Sequence, residues 1–297
     1  MKNKKVLLGL VITGAVFVFV IVPLILFTLL MAGNESLSWG EGVGLVEVEG
    51  VILDSRETVR QLADMEKDER VRAVVLRVDS PGGVVAPSQE IYAGVKRLSA
   101  KKKVVVSMGS LAASGGYYIA TPASLIMANA GTITGSIGVL MKVSNFEELL
   151  GKVGVKAFTL KTGEYKDSGS PLRSMTSNDR KMLQGVINNA HDQFVRAVAE
   201  GRRLPVGEVR KIADGRIVTG EQALALKLID RIGTLQDAVE EAGKLAGIKG
   251  EPKVIRPARK GNSWIDMLME ETASRIAESV GKERGLSLRY ELEGAIR

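Results

Sequence analysis

Residues 110–125 read SLAASGGYYIATPASL, directly after the strand-forming run KVVVSMG at 103–109. Ser114 stands between two alanines and two glycines, where a strand ends and a short apolar helix (115–120) begins. Such a corner has two readings. One is a tight turn; the other is a nucleophile at the carboxyl end of a strand, favoured by the positive end of the helix dipole. The pattern is not the Gly-x-Ser-x-Gly elbow of the α/β-hydrolases, because Ala112 and Gly116 hold the outer positions.

Outward from this corner, strand-like and helical runs alternate. GLVEVEGVI (44–52) and VRAVVLRVD (71–79) read as strands; 55–68 and 87–99 carry helical periodicity. Another strand lies within 124–139. A helix follows over 144–154, with Ser144 and Glu147 spaced as a capping box, and then a strand over 155–163. The longest helix, 177–203, takes Ser177 as its cap, and shorter helices follow at 205–213, 220–228 and 234–246. Strand-helix alternation of this kind predicts an α/β fold with a largely parallel sheet.

Residues 6–32 contain no charged side chain. That run exceeds the about 20 residues a helix needs to cross the hydrocarbon core, and it is too long for the apolar part of a cleaved signal peptide. It predicts a transmembrane signal anchor. Lys2, Lys4 and Lys5 would hold residues 1–5 in the cytoplasm and send the body to the periplasmic or extracytoplasmic side of the inner (cytoplasmic) membrane. A linker (33–43), a catalytic body (44–250) and a basic linker with an amphipathic tail (251–297) complete the expected organisation. The tail's stripe of Trp264, Leu268, Thr272, Ile276 and Val280 suits packing on the body, on a neighbouring subunit or on a membrane surface.

The net charge of +7 is accounted for by those three lysines and by the four basic residues of 252–260. A neutral body flanked by two short basic patches argues against a nucleic-acid partner. The absence of cysteine removes disulfides, thiolate metal sites and a cysteine nucleophile.

Asp79-Ser80-Pro81-Gly82-Gly83 also follows a strand and precedes a helix. Its glycines leave backbone N–H groups uncovered, so the amides of Gly83 and Gly115 could together hold an oxyanion. A serine nucleophile needs a base. The single histidine, His191, lies inside the long helix with no site signal around it, which makes a Ser-His-Asp triad improbable. A lysine remains, working as a base only when burial favours its neutral form. Lys166, in the loop KTGEYKDSGSPLRSMT (161–176), is a candidate, although the residues alone read as a polar loop with exposed lysines.

In chain order, Asp79–Gly83, Ala113-Ser114-Gly115-Gly116-Tyr117, Thr134-Gly135-Ser136-Ile137-Gly138-Val139 and Tyr165-Lys166-Asp167 with Ser170-Pro171 and Met175-Thr176 resemble the signal peptide peptidase A family in its short bacterial form. The resemblance spans about 44–247. It implies a Clp-protease/crotonase-like fold and a Ser–Lys dyad with Ser114 as nucleophile and Lys166 as general base. It also implies an oxyanion hole at Gly83 and Gly115, and Ser136 as a candidate to orient Lys166. No metal or cofactor is expected. The implied assembly is a membrane-seated homo-oligomeric ring with sites shared between adjacent subunits. The implied substrates are signal peptides and other apolar peptides. The competing expectations are a stomatin-partner membrane serine protease of the same fold, a crotonase-like acyl-CoA enzyme, and a non-catalytic membrane scaffold.

Overall fold

The computed structural model describes residues 17–23, 40–257 and 289–291. The chain divides into two units, Met1–Gly40 and Glu41–Arg297. In the first, Phe17–Ile21 form a π-helical turn with exposed apolar side chains. Among the described residues no helix is long and apolar enough to cross a membrane. Most of the expected anchor at 6–32 lies outside the described residues, as does the tail stripe at 262–280.

The second unit is organised around a parallel sheet. Its central strands are β1 (Gly42–Glu49), β2 (Val71–Ser80) and β4 (Lys103–Ala113), paired in the order β1-β2-β4. The long β4 has two successive neighbours. Val105–Ser107 pair with β5 (Leu125–Ala128), and Leu111–Ala113 pair with β6 (Ile133–Gly135). β7 (Ile217–Thr219) lies antiparallel on β6, and β8 (Arg231–Ile232) lies parallel on β5. β9 (Lys253–Ile255) closes the other edge, parallel to β1. The expected body, 44–250, is therefore extended by a sheet strand drawn from the segment read as a basic linker.

Both faces of the sheet are covered, which is why β2 and β4 read as nearly continuous apolar runs. On one face Val74, Leu76 and Val78 of β2 pack with helices α1 (Arg56–Lys67), α2 (Val85–Ser99), α3 (Gly115–Ala120) and α5 (Ser177–Arg202), through Leu62, Ile91, Leu98, Ile119 and Phe194. On the other, Val43, Ala73, Val75 and Val105 meet Ala238, Val239 and Ala242 of α8 (Leu235–Leu245). The alternation of β2 side chains between two cores follows from the period of two in a strand. Two short helices, α6 (Val206–Ile212) and α7 (Gly220–Ala225), link the long α5 back to the sheet.

Four local expectations differ. The stretch 155–163 alternates like a strand yet forms none, since no partner strand lies beside it among the described residues; its side chains are exposed. The preceding helix, α4, is shorter, at Glu147–Lys152. Asn145, not Ser144, accepts the Glu147 amide, and the Glu147 carboxylate bonds Ser174. The long helix α5 is capped by Thr176 with Asp179 in a reciprocal capping box, and Ser177 is its first helical residue. Finally, a three-residue strand β10 (Arg289–Glu291) pairs antiparallel with β3 (Gly82–Val84).

Candidate active site

β2 and β4 run parallel, and Ser80 lies opposite Ala112. The Asp79–Gly83 corner and the Ser114 corner therefore leave the sheet side by side at the carboxyl ends of neighbouring strands, where parallel α/β sheets bind their ligands. Both corners are tightly built. The Ser80 hydroxyl donates to the Gly50 carbonyl and accepts from the Gly82 amide. A Cβ on Gly116 would sit 2.7 Å from the Ser80 carbonyl oxygen, so glycine is what lets α3 rest against that corner.

Ser114 has φ 54° and ψ −117°, a backbone conformation that side-chain-bearing residues rarely adopt. The neighbours hold it there. Its amide donates to the Gly135 carbonyl at 2.9 Å, and its own carbonyl accepts from the Tyr118 amide at 2.8 Å. The residue is 1% exposed. Its hydroxyl has no hydrogen-bond partner among the described residues. The helix after it is fixed by its two tyrosines: Tyr117 donates to the Leu228 carbonyl, and the Tyr118 ring packs on Phe194 and Tyr92. Burial pushes the Tyr118 phenol up to about 12.

Gly83 is pressed against Ile52, where a Cβ would fall 2.1 Å from the carbonyl oxygen. The Gly82 carbonyl and the Val84 amide both bond Ile52. Because neighbouring residues of a strand point their backbone groups to opposite edges, the N–H and C=O of Gly83 face away from Ile52, toward β10. β10 also lies within reach of α3, the helix that starts at Gly115. The Gly115 amide is one of those that a helix start leaves without an intrahelical partner. The Gly83 amide, turned toward β10, and the Gly115 amide at the start of α3 belong to the two corners that leave the sheet side by side, and β10 lies along the β3 edge.

Ser136 directly follows Gly135 and is also held at positive φ, 51°, with its amide on the Arg216 carbonyl. It is buried one residue past the strand that receives the Ser114 amide. Lys166 is placed differently. It is exposed on the 161–176 loop, and its amine makes no hydrogen bond or ion pair among the described residues. No bond joins it to Ser114 or Ser136 within this single chain. His191 is part-buried in α5, and its Nε2 has no hydrogen-bond partner among the described residues.

Two features escaped the sequence. One is β10, for which three residues carry no strand signal. The other is an ion-pair cluster beside Lys166. Arg173 grips Asp167 with two nitrogens, at 2.9 and 2.8 Å, and reaches Asp179 at 2.7 Å. The guanidinium holds both carboxyls well below the usual carboxylate range, and its own ionisation is pushed up in return.

A largely parallel α/β sheet with a strained, buried serine at a strand-to-helix corner is consistent with a serine hydrolase of Clp-protease-like architecture. Comparison with known proteins agrees. The Clp protease family model matches residues 52–134, which include Gly83 and Ser114, and the model for peptidase family S49 matches 96–249, which include Ser114, Ser136 and Lys166. A protein of Synechocystis sp. named as a protease is 47% identical over 207 residues, spanning 69% of this chain and 75% of its own length. The signal peptide peptidase SppA of Enterococcus faecium is 37% identical over 215 residues (67% and 62%), and Protease 4 of Salmonella typhi 37% over 220 residues (71% and 35%). The chain belongs to peptidase family S49 and is a serine peptidase of that family.

Proposed function

We propose that the chain is a membrane-anchored endopeptidase in which Ser114 attacks the peptide carbonyl and Lys166 is the general base. In this reading the neutral amine of Lys166 takes the Ser114 proton as the oxygen attacks. The Gly83 and Gly115 amides hold the oxyanion, the ammonium protonates the leaving amine, and water then hydrolyses the acyl-enzyme by the same route. Ser136, buried beside the corner, orients the amine. The observation that carries the reading is the Ser114 corner itself: a costly backbone conformation held at the start of α3, beside the Asp79–Gly83 corner.

Lys166 lies in solvent in the single chain, and burial is what converts an ammonium into a base. A second chain would supply that burial. Phe146, Leu149, Val153, Val155, Phe158 and Leu160 expose their apolar surface on the arm leading to the Lys166 loop, which supports a homo-oligomer whose neighbours complete each other's sites. Substrates would add as an extended strand to the β3 edge, as β10 does. The apolar run 6–32 would seat the ring on the outer side of the cytoplasmic membrane, near signal peptides left after preprotein cleavage. A ring assembled with a stomatin-type partner would act by the same chemistry on other membrane peptides.

The test is active-site labelling of the full chain with a fluorophosphonate, with the labelled residue located by mass spectrometry. Label on Ser114 that disappears in Ser114→Ala and in Lys166→Ala supports the dyad. An unlabelled wild-type assembly overturns it.

A further inference from the structure

The Lys166 loop carries more fixed contacts than an exposed loop requires, and they converge on one guanidinium. Asp167, the residue after Lys166, receives Arg173 through both carboxylate oxygens and also receives Lys161 at 2.6 Å. Ser168, the next residue, donates to Asp179. Asp179 is almost wholly buried, accepts from Arg173, and forms with Thr176 the reciprocal cap that starts α5. Asn178 in the same turn donates to Glu164, on the other side of Lys166. Both flanks of Lys166 are therefore bonded to the first turn of the long helix, whose Phe194 packs on Tyr118 of α3, four residues beyond Ser114.

We propose that Arg173, bridging Asp167 to Asp179, is a positioning residue that sets where the amine of Lys166 stands. The inference rests on Lys166 being the general base. Arg173 bonds Asp167, Ser174 and Asp179, not Ser114. It acts by making the loop a rigid extension of the α5 cap, so that the only freedom left to Lys166 is its own side chain. The planar fork is needed because two carboxylates must be held in fixed directions at once, which a lysine ammonium does only as a point charge. Displacing a catalytic group by about 1 Å costs on the order of 100-fold in rate.

The test compares wild type, Arg173→Gln, Arg173→Lys and Lys166→Ala as full chains, reading kcat and KM on a peptide, the rate of Ser114 labelling, and oligomer size. Arg173→Gln is expected to lose about 10- to 100-fold in kcat and in labelling rate with KM unchanged and the assembly intact. Arg173→Lys keeps the cation without the fork and should recover only part of that loss. If both Arg173 variants match wild type while Lys166→Ala is inactive, the positioning role is overturned and the base survives. An effect confined to KM or to oligomer size also overturns it, because the role is then structural. Wild-type labelling by Lys166→Ala would instead remove the base itself.

Discussion

The amide of Ser114 donates a 2.9 Å hydrogen bond to the carbonyl of Gly135, the last residue of β6. That bond ties the candidate nucleophile to the strand preceding Ser136, so two serines at positive φ stand at the ends of paired parallel strands. Unusual backbone at one residue can be accidental. At two residues that end paired strands it is imposed by the surrounding sheet and costs roughly 1–3 kcal/mol each.

Glycine takes the Ser114 backbone conformation more easily than serine does. Ser114→Gly should abolish peptidase activity, by about 10⁴-fold or more, while raising the unfolding free energy by about 1 kcal/mol. Activity assays paired with denaturant melts check both. A variant that is inactive and also less stable would show that the hydroxyl carries structure.

Gly83→Ala places a methyl group inside the Ile52 backbone. β3 must move, so the Gly83 amide is lost from the site even if the chain still folds. The expected cost is about 1–3 kcal/mol in stability together with a drop in kcat of about 10²-fold or more from the displaced donor. Gly131→Ala, where a Cβ meets nothing, is the control.

The Tyr118 phenol is held at about 12 in the fold, against the usual value of 10. A folded-state value above the unfolded one means full stability below pH 10 and a loss as pH rises from 10 through 12. The span corresponds to roughly 3 kcal/mol at most. Urea melts at pH 9 and pH 12 should show a smaller loss for Tyr118→Phe than for wild type; equal losses would place the alkaline transition elsewhere, with Tyr117 the first alternative.

Phe158 and Leu160 stand almost fully in solvent. Replacing both by Asp should leave the fold and its melting transition within about 0.5 kcal/mol, as expected for exposed positions, while reducing oligomer size and removing Ser114 labelling. Light scattering and labelling on the same sample decide it. A dispersed but fully active chain would show that one chain holds a whole site.

Much of this was legible in the sequence because the chemistry is local. Ser114 announces its corner through the small residues around it and the strand before it, and the Asp79–Gly83 corner does the same. What was not legible depends on distant partners. The alternation in 155–163 satisfies every local rule for a strand, but a strand needs a neighbour, and none of the described residues supplies one. Thr176 and Ser177 are both capping residues, and only the spacing of Thr176 to Asp179 closes the box. Arg173 lies six residues from each of Asp167 and Asp179, a spacing no helical or strand period marks. β10 pairs with β3 across some two hundred residues of chain, which no pattern within either segment foretells.

If peptides add to the β3 edge as proposed, that last pairing makes the chain a competitor for the same edge. Where an ordinary product inhibitor weakens on dilution, a strand on the same chain holds an effective concentration that dilution does not change. Added peptides would have to outbid it at every enzyme concentration. A chain ending at residue 288 should therefore show a lower KM for extended peptides, with the gap from wild type unchanged over a hundredfold range of dilution in which the assembly stays intact.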